Sequence, residues 1–255
     1  MTPRALTLTA IPGIPLIKPG DDLAAIVVGA IRASGIVPID HDVIVIAQKI
    51  VSKAEGRYID LVTVTPSPRA LELAAGTGKD PRHIEVVLSE STEVVRQRKD
   101  LIIVAHRLGF VMANAGIDQS NLDPGDSDRV LLLPKDPDAS CASLKEHLDR
   151  AFGVSTAVVM NDSFGRPWRN GVVGVAIGAA GLPALQNRIG APDLAGRPLR
   201  LTEIAFADEL ASAASLLMGQ AAEGLPLVHA RGLRWSDPPQ PAASLIRPKH
   251  LDMFR

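Results

Sequence analysis

The segment GFVMANAGIDQSN, residues 109–121, places an acid and two amides at a tight turn directly after an apolar run. The run predicts a strand, with Asp118 just beyond its end. A second segment, VSTAVVMNDSFGRPWRNG (154–171), likewise passes from an apolar run to Asp162 and Ser163. Carboxylate, amide and hydroxyl oxygens suit a hard divalent cation, and nearby guanidinium groups suit a phosphate. The two segments therefore predict a sheet whose strands end at a nucleotide-using site.

The order of the remaining apolar runs predicts an α+β fold with a mixed sheet and packed helices, because it is neither a regular βαβ alternation nor a sandwich. Strands are predicted at residues 5–11, 42–48, 101–106, 109–115, 129–134, 154–160, 171–178 and 226–232, with a further one at 201–206. Helices are predicted at residues 21–35, 68–76, 139–153 and 206–224.

The ends of two of these helices carry capping residues. Asp21 or Asp22 is expected to cap the first helix and Asp138 the third, while Gly35 and Gly153 are expected to end them. Residues 1–234 are expected to form one domain, which could comprise two subdomains. The Pro-rich residues 235–255 are expected to form an extended arm.

Composition restricts the function classes. The 255 residues are 46% hydrophobic and 22% charged, as in ordinary globular proteins, and the formal net charge of −1 argues against a nucleic-acid partner. The single cysteine, Cys141, excludes an intramolecular disulfide and a thiolate metal cage. The polar start and the lack of an apolar run of about 20 residues argue against a signal peptide and a membrane span. We therefore expect a cytoplasmic enzyme.

Common catalytic motifs are missing. The segment LAAGTGKD (73–80) departs from the P-loop pattern at both ends, and no HExxH or GxSxG occurs. The glycines of GVVGVAIGAAG (171–181) do not fit a dinucleotide-binding pattern, and they predict close backbone packing or a bulged strand instead.

Each remaining candidate has an ordinary alternative. Asp118 and Asp162 could simply bond their own turns. Lys53 could contact a phosphate or be a solvated lysine, and Lys49 competes with it. Arg166 and Arg169 suit a carboxylate or phosphate, although Arg169 could instead stack on the intervening Trp168. The backbone amides of Ile14, Leu16 and Ile17 could face an anion or form a plain turn.

With these residues assembled, the chain resembles the coenzyme F420:L-glutamate ligase family, whose members add glutamate to a deazaflavin coenzyme. The resemblance spans almost the whole chain in order. It rests on IPGIPLIKPGDDL, IVSKAEGR, GFVMANAGIDQSN, NDSFGRPWRNGVVGVAIGAAG, ADELASAASLLMGQAAEGLPLVHARG and SLIRPKHLDMFR. Some members carry an added C-terminal flavin reductase domain, and since this chain stops at Arg255 that activity is expected to be absent.

The resemblance implies a family-specific ligase fold, an intertwined homodimer, GTP as co-substrate and two Mn²⁺ or Mg²⁺ ions, with K⁺ a further candidate. It implies that Asp118, Asp162 and Lys53 are catalytic and that Asp118, Asp162, Ser163 and Gln220 bind metal. Gln48 stands where a small hydroxyl residue is expected, which leaves that nucleotide contact open. The nucleotide contacts it implies are Ile14, Pro15, Leu16, Ile17, Gln48, Lys53, Asn121, Met218, Gly219, Gln220, Ala221, Ala222, Glu223, Gly224 and Leu225.

The reaction implied by the resemblance joins L-glutamate to the lactyl carboxylate of the unglutamylated coenzyme through an acyl phosphate, with further γ-linked glutamates possible in principle. Two alternatives use the same residues. One is a metal-dependent phosphohydrolase, which needs no glutamate, and the other is a nucleotide-binding protein without catalytic activity.

Overall fold

The computed structural model of the chain describes residues 4–119 and 128–253. Its α-helices are α1 (Leu23–Ala33), α2 (Gln48–Ala54), α3 (Pro68–Thr77), α4 (Pro81–Ser89), α5 (Pro137–Phe152) and α6 (Phe206–Met218). Its β-strands are β1 (Thr7–Ala10), β2 (Val43–Ala47), β3 (Tyr58–Asp60), β4 (Ser91–Arg98), β5 (Leu101–His106), β6 (Val111–Ala113), β7 (Arg129–Leu131), β8 (Ala157–Arg166), β9 (Arg169–Ala180), β10 (Gln186–Asn187), β11 (Glu203–Ile204) and β12 (Leu227–Arg231).

The largest sheet is mixed, as the sequence predicted. Its strands lie in the order β1-β12-β2-β8-β9. The neighbours β2 and β8 are parallel, and the other neighbouring pairs are antiparallel. Because β2 and β8 are covered on both faces, their sequences VIVIA and AVVM are continuously apolar rather than alternating.

Helices cover both faces of this sheet. Ile44 and Ile46 of β2 belong to a core that includes apolar residues of α1, α2 and α5. Val43 and Val45 point the other way, into a core that includes residues of α6. The period-two alternation of the strand thus separates two hydrophobic layers.

Glycines in β9 allow the helices to approach the sheet closely. A Cβ atom at Gly174 would collide with the carbonyl oxygen of Ala211 in α6. One at Gly178 would lie 2.5 Å from the carbonyl oxygen of Pro137 in α5. The close backbone packing predicted for these glycines is therefore confirmed.

A smaller unit packs beside the large sheet. Strands β4, β5 and β6 form an antiparallel sheet, and β3 pairs with β7. Helices α3 and α4 cover a third core, to which Leu73, Ile84 and Val104 contribute. This unit presents the turn that carries Asp118.

Several elements were not predicted from the sequence. Helix α2 begins at the residue that follows β2, within the run interpreted as the end of a strand. Helix α4 and strand β4 were also missed. The strand predicted at 201–206 is confined to the two residues of β11. Tertiary packing decides these short elements more than local pattern does.

The capping predictions are partly confirmed. Asp22 caps α1, accepting a hydrogen bond from the Ala25 amide at 2.9 Å. Gly153 ends α5 in the left-handed conformation, with φ of 71°. The prediction that Asp138 caps α5 is wrong, because Asp136 accepts the bond from the Ala139 amide at 3.0 Å.

Asp138 instead fastens the C-terminal segment to the body. Its carboxylate accepts hydrogen bonds from the backbone amides of Ala179, Ala242 and Ala243 at 2.8, 2.8 and 3.2 Å. Ala242 is fully buried. Separate behaviour of an arm at 235–255 stays a prediction.

Within residues 4–119 and 128–253, no helix combines the length and the apolar character needed to cross a membrane.

A charged cluster around Glu90 ties the smaller unit to the body. Arg57 and Arg107 contact the Glu90 carboxylate at 3.3 and 3.0 Å, and Nε2 of His106 lies 3.5 Å from it. Burial raises the pKa of Glu90, but the contact with His106 and the charges of Arg107 and Arg57 outweigh it and lower that pKa to about 2. The folded state therefore favours the ionised carboxylate.

Replacing Glu90 with glutamine is expected to lower the free energy of unfolding at pH 7 by roughly 2–3 kcal/mol. Since the Glu90 pKa is depressed from 4.5 to about 2, this contribution is complete above pH 4.5 and fades as the pH falls towards 2. Urea unfolding of wild type and E90Q between pH 7 and pH 3 measures the difference in their free energies of unfolding. The control E72Q alters an exposed pair with Arg69 and is expected to change stability by under about 0.5 kcal/mol. If the difference between wild type and E90Q does not decrease below pH 4.5, the lowered pKa of Glu90 in the folded protein is contradicted.

Candidate active site

The candidate site lies where β2 ends beside the middle of β8. In this parallel pair Ala47, the last residue of β2, is opposite Asn161, while β8 continues through Asp162 and Ser163 to Arg166. Helix α2 starts there at Gln48, and Asp162 and Ser163 follow Asn161. Ligands of open α/β sheets commonly bind outside the carboxyl ends of such strands.

Asp118 reaches this edge from the smaller unit. Its amide and carbonyl pair with Leu131, at 3.0 Å and 2.9 Å. The preceding turn runs through Asn114, Ala115 and Gly116, with φ of 52°, 54° and 67°. Left-handed conformations of non-glycine residues are unfavourable by about 1 kcal/mol or more and occur often at functional sites.

The space around Gly116 explains why this turn is fixed. A Cβ atom there would lie 2.7 Å from Cε of Met112 and 3.0 Å from Cγ of Leu133. Glycine is thus required both by the positive φ and by packing. The turn consequently delivers Asp118 from a rigid support.

Asp118 and Asp162 lie close enough to interact electrostatically. Burial is the main cause that raises the pKa of Asp162 to about 7, and the negative charge of Asp118 adds to it. The Ser163 amide and the charge of Lys49 act in the opposite direction. Nζ of Lys49 lies 2.6 Å from Oδ2 of Asp118. The site therefore holds two mutually repelling carboxylates beside a lysine.

Hydrogen bonds join β8 to the end of α6. Ser163 Oγ donates to Oε1 of Gln220 at 2.8 Å. On the same face of β8, Nδ2 of Asn161 donates to Oγ of Ser215 at 2.9 Å and contacts Sδ of Met218 at 3.3 Å. These contacts fix the start of the segment 218–225 against the strand that carries Asp162.

A cavity of about 410 Å³ opens at this edge, within the usual size of small-molecule sites. Its walls come from the N-terminal segment, α2, β8 and the segment after α6. It is lined by Ile14, Pro15, Leu16, Ile17, Ala47, Gln48, Lys49, Ile50, Lys53, Asn161, Asp162, Ser163, Met218, Gly219, Gln220, Ala221, Ala222, Glu223, Gly224, Leu225 and Pro226.

Other hollows are larger but lack this chemistry. One of about 660 Å³ borders α5, and one of about 940 Å³ surrounds Arg231. Among the residues described, neither is lined by Asp118, Asp162 or Ser163. We therefore assign the candidate site to the smaller cavity.

The structure brings together most residues expected to contact a nucleotide. Those at 14–17, 48, 53 and 218–225 all line the cavity, although they lie far apart in sequence. Asp118 stands next to Lys49 but does not line the cavity itself. Asn121 lies outside the described residues. Their roles as ligands stay predictions.

Two walls of the cavity have distinct chemistry. Gln48 is buried, and its Oε1 accepts a hydrogen bond from Ser52 Oγ at 2.8 Å. Lys53 is also buried, at 9% exposure. Ile14, Leu16 and Ile17 also line the cavity, and their backbone amides donate no hydrogen bond to other backbone groups among the described residues. Free amides beside buried lysine suit an anionic ligand.

Lys49 and Asn161 are the polar cavity residues that were not predicted as site residues; the others are Ala47, Ile50 and Pro226. Lys49 was considered only as a competitor of Lys53, whereas both line the cavity. Helix α2 begins at Gln48 and places the two lysines, four residues apart, on one helical face. A helix predicted from Gln48 onward would therefore have placed Lys49 beside Lys53.

Comparison with known proteins gives the family. The model of the family described as F420-0:Gamma-glutamyl ligase matches residues 13–232. The chain belongs to this family. The chain is 47% identical over 252 residues to the coenzyme F420:L-glutamate ligase of Methanothermobacter thermautotrophicus, covering 98% of this chain and 99% of the relative. It is 45% identical over 216 residues to the protein of the same name from Methanocaldococcus jannaschii, covering 85% of each.

In this member of the F420-0:gamma-glutamyl ligase family, the oxygen donors at the sheet edge fit a hard divalent cation. No cluster of three or more histidine, cysteine or acidic side chains occurs in residues 4–119 and 128–253. Mg²⁺ and related ions need only one or two carboxylates, with water and phosphates completing the shell. Asp118 and Asp162 would supply these, and a cation between them would offset both the burial of Asp162 and the charge of Asp118, which together raise the Asp162 pKa.

The variants D118N and D162N are each expected to abolish binding of Mn²⁺ and nearly all turnover without unfolding the protein. Saturating Mn²⁺ should raise the wild-type melting temperature by roughly 5–10 °C at 100-fold excess over Kd. Neither variant should show this shift, because one carboxylate of the pair is missing.

The matched control is D100N, which neutralises an acid in an exposed turn with φ of 64°, a conformation that asparagine also tolerates. It is expected to keep the full Mn²⁺ shift. Wild-type activity of D118N or D162N at saturating Mn²⁺ would show that these acids are not the metal ligands.

Proposed function

We propose that the protein is a GTP-dependent ligase that joins L-glutamate to the lactyl carboxylate of unglutamylated coenzyme F420 and adds further γ-linked glutamates. Family membership supports the ligase class. The observation that carries the proposal is the cavity lined by Lys49, Lys53 and Asp162, with Asp118 held 2.6 Å from Lys49 beside it. Because GTP is an intracellular nucleotide, we place the reaction in the cytoplasm.

The chemistry explains why a nucleotide is needed. An amide does not form readily from a carboxylate and an ammonium group, since the carboxylate is a poor electrophile. Transfer of the γ-phosphoryl group of GTP to the lactyl carboxylate gives an acyl phosphate and GDP. The glutamate amine, after losing a proton, attacks the acyl carbon and expels phosphate. Phosphoryl transfer of this kind depends mainly on positioning and charge stabilisation.

The chain's own groups can supply both positioning and charge stabilisation. Lys49 and Lys53 bring positive charge to one wall of the cavity, and the free amides of Ile14, Leu16 and Ile17 can donate to phosphate oxygens. Asp118, Asp162, Ser163 and Gln220 would hold two Mn²⁺ or Mg²⁺ ions, with K⁺ as a further ion. When bound, these ions would neutralise the triphosphate and the charge that develops during transfer.

The segment 218–225 is suited to enclose the nucleotide. Gly219 ends α6 with φ of 72°, and Glu223 folds back to accept a hydrogen bond from the Ala221 amide at 2.8 Å. Backbone hydrogen bonds, that of Ala221 first, lower the pKa of Glu223. The loop is therefore held in shape by its own backbone while Ser163 fixes its start through Gln220.

The direct test incubates the purified protein with GTP, Mn²⁺, L-glutamate and unglutamylated coenzyme. Mass spectrometry should show products heavier by one or more glutamyl units, and GDP release should require both glutamate and coenzyme. Parallel reactions with ATP and with Mg²⁺ establish the preferred nucleotide and metal.

The rival functions give different results in the same assay. Phosphate release that is independent of glutamate and coenzyme would identify a phosphohydrolase. Saturable GTP binding with no phosphate release under any condition would identify a nucleotide-binding protein without catalytic activity. Either result would contradict the ligase.

We further propose an intertwined homodimer with the family's ligase fold. The hairpin that contains β10 and β11 carries large apolar side chains in solvent. Leu194 is fully exposed, Leu201 is 88% exposed and Ile189 is 52% exposed. Clustered exposed apolar groups commonly mark protein interfaces, and a second copy of the chain is the partner that the resemblance implies.

Light scattering of the purified protein is expected to give twice the mass of one chain. The double variant L194D/L201D should shift the protein towards the monomer, because the interface would bury two charges. The control L71D places one aspartate on an exposed site of α3 and should leave the dimer intact. A stable, fully active wild-type monomer would contradict this proposal.

A further inference from the structure

Strand β8 extends beyond the aspartate site to Arg166. Asp162, Phe164 and Arg166 are alternate residues and share one face of the strand. On this face the Phe164 ring contacts the Phe110 ring edge-on at 5.8 Å. Asn161 and Ser163, on the other face, contact the end of α6. The Arg166 side chain therefore leaves the strand on the side of Asp162, about 13 Å further along.

The Arg166 guanidinium is not satisfied within the described structure. Its Nη1 is buried and has no hydrogen-bond partner among residues 4–119 and 128–253. A buried donor left without an acceptor is unfavourable, and more so when it is charged. Such groups in folded proteins call for a specific explanation, and a bound ligand is one.

A second arginine strengthens the case for an anion. Arg169 is the register partner of Arg166 at the closed end of the β8–β9 hairpin, beyond a shift in the register between Gly165 and Arg166, so the two residues are neighbours. Like charges in this position repel each other. Neither arginine forms an ion pair with an acid of the described chain. A bound anion would accept a hydrogen bond from Nη1 of Arg166 and would offset the repulsion between the two arginines.

The position of Arg166 separates this anion from the nucleotide. The cavity is lined by Asn161, Asp162 and Ser163 but not by Phe164 or Arg166. An extended arginine side chain is long enough to span roughly half of the 13 Å between Arg166 and Asp162. The remaining distance corresponds to a small molecule that reacts beside Asp162 and carries an anionic group a few bonds from its reacting atom.

We propose that Arg166 binds a carboxylate of the incoming glutamate, and this inference rests on the proposed ligase function. The lactyl carboxylate must lie at the γ-phosphate to be activated, so it is not free to bind Arg166. Glutamate places its amine at the acyl carbon and retains two carboxylates, either of which a planar guanidinium can bind bidentately. Arg169, which is exposed, adds charge to the same subsite.

The test compares steady-state kinetics of wild type, R166Q and R166K for each substrate. R166Q is expected to raise KM for glutamate about 10- to 150-fold, the loss of a charge-assisted hydrogen-bonded pair. KM for GTP and for the coenzyme should change less than about threefold. R166K should fall between wild type and R166Q, because lysine keeps the charge but not the fork. The control R98Q removes the same charge from an exposed site on β4 and should match wild type.

Two analogues identify the carboxylate and exclude a merely structural role. Glutamine lacks the γ-carboxylate, and isoglutamine lacks the α-carboxylate. Wild type should use at least one of them much less well than glutamate, and R166Q should lose that particular preference. A general packing defect would slow all amino acids in proportion and leave the preference unchanged.

The outcomes separate this inference from the proposed function. If wild type shows no glutamate-dependent reaction, the ligase proposal itself fails. If wild type is active but R166Q keeps the wild-type KM for glutamate and the wild-type preference between analogues, Arg166 does not bind the glutamate carboxylate. A rise in KM for the coenzyme alone, or full loss in R169Q with R166Q unchanged, would also overturn it.

Discussion

The parallel pairing of β2 with β8 is the constraint on which the site depends. The pairing places Ala47, the last residue of β2, opposite Asn161 in the middle of β8. One strand continues into α2 and its lysines, while the other continues into Asp162 and Ser163. A one-residue change in this register would move Asp162 to the opposite face of the sheet. The register therefore determines the chemistry as well as the packing.

The site combines rigid supports with unfavourable electrostatics. Asp118 stands on a turn with three consecutive positive φ angles, and close packing at Gly116 holds that turn. This support places its charge where it raises the pKa of Asp162. A folded chain keeps such an arrangement when a ligand compensates for it, and a divalent cation is the simplest compensation. Nη1 of Arg166, which has no hydrogen-bond partner in the described part of the chain, is a corresponding position for an anion.

Sequence patterns predicted the long apolar elements, and the family resemblance named most residues of the cavity wall, but neither gave their arrangement. β2, β8, β9 and β12 were recognisable because buried strands have continuous apolar runs. Helix α2 was hidden, since four of its seven residues are buried and it follows a strand without a loop. Helix α4 carried an Asp80–Pro81 start signal that went unused. β4 is mostly polar and exposed, and its pairing with β5 is what makes it a strand.

The candidate site was likewise only partly predictable from the sequence. Asp118 was predictable as an acid after a strand. The prediction that the strand before Asp162 ends at residue 160 is wrong, since β8 continues through Asp162 to Arg166. The proximity of the two acids follows from pairing across long sequence separations. The assignment of Asp138 as a cap failed because its partners lie on β9 and in the C-terminal segment, which no local pattern reveals. Lys49 gained its place from the unforeseen start of α2. Resemblance to a family named the residues, and the fold supplied the physical reason for their grouping.

The most direct measurement of the central claim is a crystal structure with Mn²⁺ and a non-hydrolysable GTP analogue, collected at the manganese absorption edge. The anomalous density is expected to place Mn²⁺ in contact with the carboxylates of Asp118 and Asp162, beneath the phosphates of a nucleotide lying in the cavity. Manganese bound elsewhere, or the two carboxylates turned away from a nucleotide seated in another hollow, would contradict it.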